Sequence, residues 1–201
     1  MGIVTETYNR GERDVESGYI EKYHIGRAEW GVIDNDDGDP TAIKHGQYAY
    51  WHENGQLAQS GSYVNNNRHD IWRMWHDEGT LMEEKTYKDG KLDGSYTYWW
   101  KNGLHDSGET SENHQIEHEG TWVNGQMSGK WIWYYENGNI KYEGDFSSGL
   151  RSGTWTYYNA DSDGNQQVDT QCIYEDGVKT STIISGINSL DGIRPDNSGA
   201  I

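Results

Sequence analysis

The chain has one cysteine, two prolines and one phenylalanine in 201 residues. A lone thiol, Cys172, excludes an intrachain disulfide and any thiolate-rich metal site. No stretch approaches the roughly 20 apolar residues of a spanning helix. Met1 to Arg13 lacks an apolar h-region, and Glu6 stands where a myristoylation signal wants Ser or Thr. A cytoplasmic location is therefore expected, with no membrane partner. Basic residues are also scarce, 16 against 33 acidic ones, for a formal charge of −17. Such a surface repels nucleic-acid phosphates and anionic lipids, so no nucleic-acid partner is expected; it suits a basic protein or cations, or is simply a solvated surface. Nucleophile–base and phosphate-loop signatures are missing: there is no Gly-x-Ser-x-Gly, His-Glu-x-x-His or glycine-rich cradle. The chain reads as a non-enzyme that needs no cofactor.

Aliphatic residues are few as well. Hydrophobic residues make up 32% of the chain and the mean hydropathy is −1.03, values that imply disorder when apolar residues are scattered. Here they are concentrated. The 10 Trp and 15 Tyr gather in five clusters: Tyr48-Ala49-Tyr50-Trp51, Trp72-Arg73-Met74-Trp75, Tyr96-Thr97-Tyr98-Trp99, Trp131-Ile132-Trp133-Tyr134 and Trp155-Thr156-Tyr157-Tyr158. Successive intervals from Trp51 to Tyr158 are 24, 24, 35 and 24 residues. A period of this size marks a repeat array, held by aromatic stacking between neighbours. Repeat surfaces usually bind rather than catalyse.

Each unit opens with a small or turn-prone residue: Gly46, Asp70, Gly94, Gly129 and Gly153. A strand follows in which positions 48, 72, 96, 131 and 155 share a face with 50, 74, 98, 133 and 157, because strand side chains alternate with period two. Trp51, Trp75, Trp99, Tyr134 and Tyr158 fall on the opposite face. Asn54-Gly55, Glu78-Gly79, Asn102-Gly103 and Asn137-Gly138 then read as hairpin turns with positive φ at both central residues. Return strands carry Leu57, Leu81 or Ile140, followed by Tyr63, Tyr87, Trp122 or Phe146. Gly61, Gly120 and Gly144, two residues before those rings, leave room for a ring from the next strand. Second turns close the units at Asn65-Asn66, Asp89-Gly90, Asn124-Gly125, Ser148-Gly149 and Asp176-Gly177. The predicted fold is all-β: an elongated single antiparallel sheet of stacked hairpins, about five units of 24 residues, with little helix.

Residues 1–44, with Gly18-Tyr19 and Glu29-Trp30-Gly31-Val32-Ile33, read as an N-terminal cap made of a degenerate hairpin and an acidic loop. Residues 45–179 are the array, and residues 180–201 a tail or arm. The third unit carries 11 extra residues, placed near Leu104 to His118. The fifth expands across Tyr158 to Gln167. Insertions in such arrays usually emerge as loops on one side, often the binding side.

The run Gly129-Lys130-Trp131-Ile132-Trp133-Tyr134-Tyr135-Glu136-Asn137-Gly138-Asn139-Ile140, followed by Gly144-Asp145-Phe146, resembles the MORN repeat. More narrowly it resembles the bacterial YwqK-like variant found in antitoxin-component proteins. The resemblance spans Gly46 to Lys179; the 35-residue unit and Asp70 in place of glycine depart from the pattern. It implies a scaffold or binding module without catalytic repeat residues. The antitoxin-type variant would further imply an inhibitor of a protein toxin. A weaker resemblance, to choline-binding repeats, lacks the hairpin spacing.

Candidate sites follow. Repetition alone accounts for the pairs His45/His69 and His52/His76. Glu112, His114, Glu117, His118 and Glu119 offer metal-ligating side chains, but the His-x-x-x-His spacing needs a helix that nothing here predicts, so no metal site is expected. Asp34 to Asp39 and Asp161 to Asn165 depart from the calcium-loop pattern and read as solvated turns. A single sheet cannot bury both faces, which leaves the ladder Trp51, Trp75, Trp99, Tyr134 and Tyr158 as the candidate partner-binding surface, or else as rings that only stack on one another. The expected function is a non-enzymatic scaffold for a protein partner, acting through the ladder, the insertion loops or the tail. Alternatives are a structural component of a larger assembly such as a phage particle, in which case it would be found in the virion, and a carbohydrate-binding adhesin module.

Overall fold

The computed structural model describes residues 2–8, 26–33, 43–101, 115–160 and 166–184. They form thirteen strands in strictly sequential order in one antiparallel sheet. The first two are β1 (Gly2–Tyr8) and β2 (Gly26–Ile33), which pair along their whole length. Next come β3 (Ile43–Trp51), β4 (Leu57–Val64), β5 (Asn67–Trp75), β6 (Leu81–Lys88) and β7 (Lys91–Trp99). The series ends with β8 (Ile116–Val123), β9 (Gln126–Tyr134), β10 (Ile140–Ser147), β11 (Leu150–Ala160), β12 (Gln166–Glu175) and β13 (Val178–Ile184). At the usual inter-strand spacing the sheet runs about 58 Å along its hydrogen-bonding direction. The expected stacked-hairpin sheet is what forms.

Two kinds of turn alternate along it. The short turns Asn65-Asn66, Asp89-Gly90, Asn124-Gly125, Ser148-Gly149 and Asp176-Gly177 all have positive φ at both residues. They join directly paired residues such as Val123 and Gln126, as type I′ hairpins do. The Asn-Gly turns differ from expectation. Gly55, Gly79 and Gly138 have positive φ, but Asn54, Glu78 and Asn137 do not. The loop is longer: His52 N–H donates to Gln56 O, and Gly55 N–H donates to His52 O. Asparagine contributes its side chain instead, the Asn54 and Asn137 amide oxygens accepting the N–H groups of Gln56 and Asn139 at 3.0 Å. This is the Asx pattern, which needs no left-handed asparagine.

The unit-opening residues explain how a single sheet acquires a core. Gly46, Asp70, Gly94, Gly129 and Gly153 all have positive φ, and each lies where the register to the preceding strand slips. Asp70 adopts the left-handed conformation that aspartate tolerates better than most residues, so the missing glycine costs the repeat little. The resulting bulge sets the next tryptophan over the glycine of the strand before it. Trp72, Trp131 and Trp155 lie over Gly61, Gly120 and Gly144, and all three indoles are at most 1% exposed. Their Nε1–H groups donate to the carbonyls of Ser62, Thr121 and Asp145 at 3.1–3.2 Å.

Rings from neighbouring strands close the sides. Tyr63, Trp122 and Phe146 meet the three indoles edge-on at 5.0, 5.7 and 5.1 Å. The Arg68 and Arg151 guanidiniums lie 4.5 and 4.2 Å over Trp72 and Trp155. The core is thus a spine of flat rings lying on one face, each sealed by its neighbours, rather than an interior between two layers.

One seat of the spine lacks its glycine. In the repeat position of the glycines, β6 carries Lys85, and the ring that follows on β7 is Tyr96 instead of tryptophan. Lys85 Nζ pairs with Glu83 at 2.6 Å, both side chains being largely buried. The expected insertion also moves. Residues 116–118 belong to β8, where His118 faces Tyr98 in register and its imidazole stacks on the Tyr98 ring at 5.2 Å. The fifth-unit expansion begins as strand: Tyr158, Asn159 and Ala160 extend β11 and pair with Val168, Gln167 and Gln166. The start of the expected tail, residues 180–184, belongs to β13.

Candidate functional site on the ladder face

The spine claims one face, so strand alternation sends Trp51, Trp75, Trp99, Tyr134 and Tyr158 to the other. All five are partly exposed. Each faces an aliphatic or β-branched residue in register: Leu57, Leu81, Ile116, Ile140 and Val168. Such aromatic–aliphatic cross-strand pairs hold the rings upright at the long-turn edge. Ile116 and Val168 are members of this row that the sequence reading missed; they lie beyond the two irregular stretches, where counting by 24 fails.

A row of carboxylates runs beside the ladder. Glu84, Glu119 and Glu143 occupy one repeat position, held by Ser60 in the first unit. Tyr134 and Tyr158 donate their hydroxyls to Glu119 and Glu143 at 2.7 and 2.9 Å. Arg73 donates to Glu84 at 2.7 Å, and Lys130 pairs with Glu143 at 2.9 Å. Burial first, and then these carboxylates, raise both tyrosine pKa values above the ordinary phenol range. Each phenol thus holds its proton, and its bond to the carboxylate, to higher pH than an exposed tyrosine would.

The same face also carries aliphatic side chains, with Val64, Val123, Leu150 and Val178 beside the short turns, Ile71 farther in and Ile183 level with the carboxylate row. Val64, Ile71, Val123, Leu150, Val178 and Ile183 are 36–65% exposed. Strand parity puts all six on the ladder face, since each neighbours or pairs beside a residue whose register places it relative to the spine. These are the exposed large aliphatic side chains among the described residues. The two faces have been used differently: one buries Trp72, Trp131 and Trp155 among half-exposed rings, the other presents rings, carboxylates and exposed aliphatic groups.

The other side-chain groups considered from sequence serve the sheet. His118 and Glu119 are adjacent in β8 and so face opposite ways, one into the spine and one into the carboxylate row. His52 uses its Nε2 on Trp75 O at 2.9 Å, a bond that ties one hairpin to the next. No group of three His, Cys, Asp or Glu side chains is arranged to hold a metal among the described residues. Gly18, Tyr19, Asp34 to Asp39, Asn102-Gly103, Leu104, Glu112, His114, Asp161 to Asn165 and the tail beyond residue 184 lie outside the described residues. No helix among the described residues is long and apolar enough to cross a membrane.

Three segments, residues 44–65, 71–89 and 127–147, match the MORN repeat variant family. They coincide with the hairpins β3–β4, β5–β6 and β9–β10. No curated protein matches the chain. MORN repeats are in general non-catalytic modules of protein or membrane interaction.

Proposed function

We propose that the chain is a non-enzymatic scaffold whose ladder face docks a protein partner. One observation carries this: the exposed large aliphatic side chains gather on the face that also bears the half-exposed ladder, while the opposite face buries the indoles of Trp72, Trp131 and Trp155 and carries no exposed large aliphatic side chain among the described residues. Monomeric proteins seldom leave a long apolar strip open, and Trp and Tyr are the residues most enriched at the energetic centres of interfaces. The overall charge of −17 favours a partner with basic side chains set between apolar anchors. The same acidic balance disfavours the anionic membrane surface that other repeats of this kind engage. Inhibition of a basic toxin, the role implied by the antitoxin-type resemblance, is one form such docking would take.

The test is a double substitution, Trp75→Ala with Trp99→Ala. The expected result is unchanged far-UV circular dichroism and a native-like melting profile, with loss of a partner captured from the native host by the wild-type chain. Unfolding of the double variant would show that the ladder serves only the sheet and would end the docking proposal.

A further inference from the structure

Along the long-turn edge, the residue after each ladder ring is His52, His76, Trp100, Tyr135 or Asn159. In two units it ties one hairpin to the next: His52 Nε2 bonds to Trp75 O, and the Tyr135 hydroxyl donates to Tyr158 O at 3.2 Å. Trp100 breaks this habit. Its indole Nε1–H is buried and finds no acceptor among the described residues, although a buried donor without a partner costs about 1–3 kcal/mol. The same ring lines a cleft of about 680 Å³, whose other walls include Tyr135, Asn137, Asn139, Asn159 and Gln166. This volume lies within the roughly 300–1,000 Å³ typical of small-ligand sites.

The lining chemistry is specific. The nine lining residues include four carboxamides and two aromatic rings around a mostly apolar surface, and the two charged residues, Glu136 and Lys141, are opposite in sign. Part of the amide capacity is committed. Asn137 Oδ1 accepts the Asn139 N–H, and Gln166 Nε2 donates to Ile140 O at 3.1 Å. The remaining groups, the Asn137 Nδ2 and Gln166 Oε1 atoms and the Asn139 and Asn159 amides, supply both donors and acceptors to the cleft.

A ligand that fits must be uncharged, must offer several adjacent hydroxyls to paired amide donors and acceptors, and must present an apolar face to a ring. A sugar does all three, because axial C–H groups make one side of a pyranose apolar while its equatorial hydroxyls both donate and accept. A nucleotide would bring phosphate to a chain of charge −17, and an organic cation would find only one carboxylate, already offset by Lys141. We propose that this cleft is a binding site for a short neutral oligosaccharide, with Trp100 as the stacking platform and Asn137, Asn139 and Gln166 as hydroxyl partners. The site is separate from the ladder: Trp75 and Trp99 do not line it.

Saturation-transfer difference NMR on the full chain, with cellotriose, maltotriose, chitotriose, mannotriose and laminaritriose at millimolar concentration, tests the assignment. At least one trisaccharide should receive saturation, and titration calorimetry should then give its Kd. Trp100→Ala and, separately, Asn139→Ala should weaken that Kd on the order of tenfold, the size of one lost stacking or hydrogen-bond contact, while Trp75→Ala leaves it unchanged. Asn139→Ala keeps the backbone bonds of its turn, so it remains informative if Trp100→Ala fails to fold. Silence from all five trisaccharides overturns the proposal. So does binding that survives Asn139→Ala and Trp100→Ala, or binding that is lost with Trp75→Ala.

Discussion

Adding one methyl group at Gly120 should cost nearly as much as removing the largest side chain in its neighbourhood. A Cβ on Gly120 would lie 2.2 Å from Trp131 Cδ2 and 2.3 Å from Cε2. Ordinary contact begins near 3.4 Å, so the indole would have to lift by about 1.2 Å. It has nowhere to go. Trp131 is 1% exposed, with Trp122 and Phe146 edge-on at 5.7 and 6.1 Å and Tyr96 and Trp133 alongside at 5.6 and 5.7 Å. Lifting it also breaks the bond from Nε1–H to Thr121 O at 3.1 Å. Overpacking of this kind costs about 1–3 kcal/mol, and an orphaned buried donor adds about 1–3 more. Gly120→Ala should therefore destabilise by roughly 3–4 kcal/mol, against about 3–5 kcal/mol for Trp131→Ala.

The two losses should not add. With the indole gone, Gly120→Ala meets nothing and gains about 0.5–1 kcal/mol from reduced chain entropy, so the coupling in the double-mutant cycle should be about 3 kcal/mol or more. Urea unfolding followed by far-UV circular dichroism measures all four corners. If Gly120→Ala costs less than about 1 kcal/mol, or costs as much without Trp131 as with it, then the ring does not rest on the glycine and this account of the core is wrong.

Other consequences can be measured with the same protein. Lys85→Gly combined with Tyr96→Trp should lower stability by about 3–5 kcal/mol despite recreating the ring-over-glycine step, because Glu83, 8% exposed, loses its partner; adding Glu83→Gln should recover part of that loss. Burial lowers the His118 pKa from its ordinary value of 6.5, with Glu117 opposing the shift. Below pH 6.5 the unfolded chain thus binds a proton that the folded chain resists, and stability should fall from there toward the depressed pKa. A pH series of melting temperatures should show this acid loss reduced in His118→Phe. Burial raises the pKa values of Tyr98, Tyr142 and Tyr158 above 10. The unfolded chain loses these protons first, so stability should decline as pH rises through 10. Ultraviolet titration should show those phenols ionising together with unfolding; gradual ionisation of a still-folded chain would contradict the shifts.

Much of this architecture was legible because repetition amplifies weak signals. Five aromatic pairs in equivalent positions set strand parity, and parity alone separated the ring spine from the ladder. The constant offset of 11 residues from Gly61 to Trp72, Gly120 to Trp131 and Gly144 to Trp155 was visible as a gap awaiting a ring, but not as the ring's resting place. That needed the bulge at the positive-φ residue, a backbone feature that composition does not announce. The Asn-Gly turns misled because the dipeptide suits two loop types, and the distinction lies in whether asparagine uses its backbone or its side chain. The carboxylate row escaped because acidic residues are too common here for any one to stand out. The Trp100 cleft escaped because it lies where the period breaks, so no equivalent unit offered a comparison.

The strictly sequential strand order has a mechanical consequence. β1 and β13 lie at opposite edges of the sheet, so tension applied between them acts across the strands, along the hydrogen bonds. Each strand would then peel from its neighbour one bonded pair at a time, as a zipper opens, instead of resisting as a block in shear. Each peeled hairpin would expose its own share of the ring spine, giving a force trace of successive small steps, longer at the unit with 11 extra residues. Because each pairing joins strands adjacent in sequence, each step would also re-form from local contacts alone. Such a sheet would behave under load as a reversible extensible spring, its step lengths set by the unit lengths of 24 and 35 residues.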